Sequence, residues 1–124
     1  MFDLRTLSQG SFVQKLIPAG IYQSVVTKVQ WREDYVKDTV FEVFYDLTSK
    51  DGKCYTHSEL FENTKKNKRT RGFIEYLEDH EIFYAEDFVG CREELDIRKA
   101  MKRGKTYSSI CDRVFLGRQE DTTS

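Results

Sequence analysis

A chain of 124 residues carrying 20 basic and 21 acidic side chains, net charge −1, suits one domain with its own core and excludes a strongly cationic coat for duplex DNA. One proline and seven glycines beside 39% hydrophobic residues exclude a disordered chain. Three widely spaced cysteines, Cys54, Cys91 and Cys111, without a CxxC, speak against a disulfide framework and point to a reduced, cytoplasmic setting.

Residues 1–18 read as an N-terminal arm. Apolar Phe2, Leu4, Leu7, Phe12, Val13, Leu16 and Ile17 are interrupted by Ser8-Gln9-Gly10-Ser11, with no signal-peptide pattern and no run of membrane-spanning length. Pro18-Ala19-Gly20 is a break before the first strand. Ile21 to Trp31 alternates Ile21, Val25, Val29 and Trp31 against Tyr22, Ser24, Lys28 and Gln30, and Arg32-Glu33-Asp34 is a polar turn. Thr39 to Thr48 is the strongest strand, with Phe41, Val43, Tyr45 and Leu47 on an apolar face and Glu42, Phe44, Asp46 and Thr48 on a solvated one. Asp51-Gly52 signals a hairpin, and Cys54 to Phe61 returns as strand three. Lys66 to Asp79 reads as a helix with a narrow stripe of Phe73, Ile74, Tyr76 and Leu77, capped by Asn63 or Thr64. Residues 80–92 are an acidic connector. Glu94 to Met101 is strand four with Leu95 and Ile97 inward. Arg103-Gly104 is a tight turn. Lys105 to Leu116 is strand five, with Ile110, Val114 and Leu116 on one face, before a polar tail.

Three strands, a helix and two more strands make a mainly β domain over residues 19–117, followed by a polar tail at 118–124. This is the chain order of a five-stranded OB-fold Greek-key barrel with one helix between strands 3 and 4. A generic α+β sheet with a packed helix has the same order.

Positive charge is concentrated in two acid-free runs, KKNKRTR at 65–71 and RKAMKRGK at 98–105. The first puts Lys65, Lys66, Lys68, Arg69 and Arg71 at a helix start, where cations oppose the macrodipole unless an anion is bound. The second puts Lys99, Lys102, Arg103 and Lys105 around the turn between strands four and five, a loop that borders the OB binding groove. Cations for phosphates beside rings for bases are what a single nucleic-acid strand requires. Phe44, Tyr55 and His57 on strands two and three are the stacking candidates. Trp31 at the end of strand one, before Tyr35, is another, and Tyr107 opens strand five. A solvated cationic face and core rings are the plainer readings of the same residues. Cys54-x-x-His57 is half a zinc pattern, but the two positions point to opposite strand faces and no second pair follows. Nothing pairs a nucleophile with a base. The expectation is a binding protein, not an enzyme, with no cofactor and no metal.

Ala19-Gly20-x-Tyr22, Asp51-Gly52-Lys53, Phe73-x-x-Tyr76-Leu77, Asp87-Phe88-Val89-Gly90, Gly104-Lys105-Thr106-Tyr107 and Arg113-Val114-Phe115, in this order over about residues 18–116, resemble the OB-type single-stranded-DNA-binding proteins of bacteriophages and prophages. The resemblance implies sequence-tolerant binding of single-stranded DNA in phage DNA replication or recombination. It implies a homo-oligomer in the host cytoplasm, away from membranes, with a phage recombinase or a host protein as a further partner. The short tail GRQEDTTS departs from the long acidic tail of the bacterial relatives. A second reading is a phage protein-binding module that inhibits a host defence protein, using the acidic stretch 75–87 and the apolar arm.

Overall fold

The computed structural model describes residues 16–31, 40–62, 64 and 66–118. The expected arm up to residue 15, the turn at 32–34, Tyr35, Asn63, Lys65 and the tail after Arg118 lie outside them. Five strands form one antiparallel sheet: β1 (Gly20–Trp31), β2 (Val40–Ser49), β3 (Cys54–Glu62), β4 (Cys91–Lys102) and β5 (Lys105–Arg118). Helix α1 (Lys68–Asp79) and the single turn α2 (Ala85–Phe88) lie between β3 and β4. The sheet order β3-β2-β1-β4-β5 and the helix position are those of an OB-type barrel, left open between β3 and β5. No helix among the described residues is long and apolar enough to cross a membrane.

Strand β2 follows its sequence parity on the inner face, but on the outer one Glu42, expected to be solvated, is buried and accepts from Ser58 Oγ at 2.6 Å. Val43, Tyr45 and Leu47 are buried on the inner face, and Phe41 reaches the same core. The other strands needed more than alternation. In β1, Val26 pairs with Tyr45 and Lys28 with Phe44, so Thr27 is an extra residue in a bulge. Tyr22, Ser24 and Val26 point inward before it. Val29 and Trp31 come round to the inner partners Val43 and Phe41 after it. The expected single face of Ile21, Val25, Val29 and Trp31 is therefore split. A second bulge, at Cys111, separates the pairs Ile97–Ile110 and Asp96–Asp112. It turns Arg113 and Phe115 inward and leaves Val114 and Leu116 exposed, against the expected face of Ile110, Val114 and Leu116.

The helix begins two residues later than expected, and its cap is neither Asn63 nor Thr64. Asn67 Oδ1 accepts from the backbone N–H of Thr70 at 3.1 Å. The Arg103-Gly104 turn has φ of 52° and 77°, positive at both central positions as a two-residue hairpin with the strands' twist requires.

Two clusters fill the barrel under α1. Phe73 stacks on Phe61 with centroids 4.3 Å apart, and Phe61 stacks on Phe41 at 5.3 Å. Beside them lies an ionic group. Arg113 of β5 reaches Glu59 of β3 at 2.6 Å and Glu93 of β4 at 3.0 Å. Tyr45 donates to Glu59 and Tyr76 to Glu93, each at 2.7 Å. Between two strands that form no ladder, Arg113 bridges with its side chain.

Candidate functional site

The outer face of β2 and β3 carries Glu42, Phe44, Ser58 and Leu60, opposite the core-facing Val43, Tyr45, Glu59 and Phe61. Strand β4 runs past its last pairing with β1, Ile97 opposite Gly20, to Lys102 at the hairpin tip. Lys102 then lines a groove of about 360 Å³ with Val40, Leu60, Glu62, Asn67 and Arg69. One member of each basic cluster thus meets at the same place, a proximity that the sequence could not show.

Arg69 is partly engaged in the fold. Its guanidinium lies 4.1 Å from the Phe61 ring centroid, donates to Leu60 O at 2.6 Å and bonds Glu59 Oε2 at 3.1 Å. Packing over Phe61 gives a cation at this helix start a structural reason, apart from any anion. A guanidinium has five N–H donors, so the half-exposed Arg69 retains capacity on its solvent side. Lys66, Lys68 and Arg71 are exposed around the helix start, and Lys99, Arg103 and Lys105 around the hairpin tip. Tyr107 is part-exposed on β5 opposite Ala100.

The aromatic candidates separate. Phe44 is half-buried on the outer face, with Lys28 Nζ 5.7 Å from its centroid. Tyr55 and His57 point the other way. Tyr55 meets Tyr22 edge-on at 5.8 Å, and His57 is buried. Burial lowers the His57 pKa against the pull of Glu59, which keeps the ring neutral, and its Nδ1 has no hydrogen-bond partner among the described residues. Cys54, three residues away, is exposed. Among the described residues no three His, Cys, Asp or Glu side chains group as metal ligands.

Trp31 is 55% exposed, edge-on to Phe41 at 6.0 Å. It stands on a different groove, an apolar one of about 220 Å³ between the ends of β1 and β2, α1 and residues 82–88. Phe83 and Tyr84, which the sequence reading did not single out, are 65% and 68% exposed there.

The ionic group is also absent from the sequence reading. Glu59 and Glu93 are 8% and 0% exposed. Burial disfavours the charge on Arg113, and these two carboxylates, with Tyr45, outweigh it and hold the guanidinium protonated. Burial, reinforced by the carboxylates, pushes the Tyr45 and Tyr76 hydroxyls well up, so both remain donors. The group lies within the barrel, touches the basic groove through Arg69 on Glu59, and ties strands together. The signal for it was an acid at an inward parity position: Glu59 between His57 and Phe61, and Glu93 between Cys91 and Leu95.

Comparison with protein-family models, with curated proteins and with solved structures finds no match to the chain.

Proposed function

We propose that the chain binds single-stranded DNA in a sequence-tolerant way, as a non-enzymatic protein of phage DNA replication or recombination. The observation that carries this reading is the groove where Arg69 and Lys102, from the two basic clusters, meet beside the outer face of β3. OB barrels take oligonucleotides on the face of strands two and three and at the loop between strands four and five. Phosphates would follow Lys66 and Lys68 on one side and Lys99, Lys102, Arg103 and Lys105 on the other. Phe44 offers a ring on the same outer face, with Lys28 above it. Tyr55 and His57 support the barrel from within and are no longer candidates for stacking.

The test is a titration of a labelled dT oligonucleotide at several salt concentrations. With about four to six phosphates neutralised, log K should fall with log salt at a slope of roughly −3 to −4. Lys102→Ala with Arg103→Ala should reduce that slope by about one to two. Phe44→Ala should weaken binding by about 1–3 kcal/mol if the ring stacks on a base. Equal affinity for a duplex hairpin of the same charge would sink the proposal.

A further inference from the structure

The apolar groove at the other side of α1 has a composition unlike that of the basic one. Trp31, Ile74, Leu77, Ile82, Phe83 and Tyr84 line it, and three of them expose most of a large ring to solvent. Such rings gain by leaving water, so an exposed group of them marks an interaction surface. Its volume, about 220 Å³, is below the roughly 300–1,000 Å³ of small-molecule sites and suits one or two anchoring side chains of a protein.

Charge identifies the partner. Residues 74–90 hold Glu75, Glu78, Asp79, Glu81, Glu86 and Asp87, all exposed, and no Lys or Arg. Glu78 itself lines the groove. The neighbouring cation Arg118 donates to the backbone carbonyls of Asp87 and Val89. Among the described residues, the lining of the apolar groove carries one carboxylate, Glu78, and no cation, whereas the other groove carries Arg69 and Lys102. We propose that the Trp31–Phe83–Tyr84 groove docks a segment of another protein in which a large apolar side chain is flanked by Lys or Arg. The anchor fills the cavity, and the flanking cations meet the carboxylates of Glu78, in the lining, and of the exposed Glu81 beside Ile82. This site is independent of DNA binding and uses neither basic cluster.

Trp31 is the only tryptophan and reports on the groove. The full chain is titrated with three hexapeptides, KKFLKK, KKSSKK and EEFLEE, following tryptophan emission. KKFLKK should give a saturable change and bind at least about tenfold more tightly than either of the others. Glu78→Lys with Glu81→Lys, both on exposed positions, should reverse the preference toward EEFLEE. Phe83→Ser should weaken KKFLKK by about fivefold or more, with unfolding midpoints unchanged. Equal binding of KKFLKK and KKSSKK, equal binding of KKFLKK and EEFLEE, or no saturable change at millimolar peptide overturns the proposal. Emission that changes with protein concentration in the absence of peptide assigns the groove to a second copy and overturns it too. So does an emission that ignores all three peptides but responds to Phe2→Ser or Phe12→Ser, which assigns the groove to the chain's own N-terminal residues.

Discussion

The barrel interior is built from two chemistries that share one helix. Where β2, β3 and α1 meet, Phe41, Phe61 and Phe73 stack face to face, and Phe88 closes the stack edge-on to Phe73 at 5.7 Å. Where β3, β4 and β5 meet, the same helix covers Arg113, Glu59 and Glu93, with Arg113 lying 5.0 Å from the Phe73 centroid. The aromatic half is non-directional and loses stability in proportion to what is removed. The ionic half depends on completeness, because each ion has been taken out of water and only its partners compensate. The ionic half stands where the ladder stops. Backbone pairing holds β2 to β3 and β4 to β5, whereas β3 and β5 are joined through a guanidinium.

Removing single groups sharpens this contrast. Arg113→Ala leaves the buried Glu93 without its cation and Glu59 with only the half-exposed Arg69, and should cost about 3–5 kcal/mol in urea unfolding. Phe41→Ala should cost less, about 3 kcal/mol, because Phe41 borders the open apolar groove and its neighbours can relax into the space. If the ionic half matters mainly through its completeness, replacing the whole group should restore most of the loss. Tyr45→Phe, Glu59→Leu, Tyr76→Phe, Glu93→Leu and Arg113→Met together should unfold within about 2 kcal/mol of the parent. A combined variant as unstable as Arg113→Ala would break that account and give the network a net stabilising role.

The smallest effect is one of pH. Burial pushes the Glu93 carboxyl above its ordinary 4.5, against the pull of Arg113 and the hydrogen bond from Tyr76. A group with a raised folded pKa favours the fold fully below its unfolded value and loses that contribution as pH rises through the folded one. Stability measured relative to Glu93→Gln should therefore be greater near pH 4.5 than near pH 7. A difference that grows with pH instead would mean that Arg113 outweighs the burial.

Fold class was legible because strand and helix order depends on local pattern, and β2 carried its parity without interruption from Phe41 to Leu47. Parity failed in β1 and β5 because a bulge costs no change in composition. Thr27 and Cys111 look like ordinary strand residues, yet each shifts the residues after it to the other face, in β5 as far as a further bulge at Leu116. That shift hid Arg113, and with it the network. At the candidate DNA site, the basic runs were legible as charge. Their meeting through Arg69 and Lys102 depends on how the β4–β5 hairpin bends, which no local pattern encodes. His57 and Tyr55 could not be oriented because both faces of β3 carry polar residues.

The opening between β3 and β5 sets a gradient of protection across the sheet. β1 is hydrogen-bonded on both sides, to β2 and to β4, along Tyr22–Val25. Among the described strands, β3 and β5 each have a ladder on one side only. Amide hydrogens of β1 should exchange with solvent slowest, and those on the open edges of β3 and β5 fastest. The latch between those edges is one arginine side chain, so opening it locally requires no ladder to break. The chain then breathes at the flank where Arg69 and Lys102 meet, while its central strand stays closed.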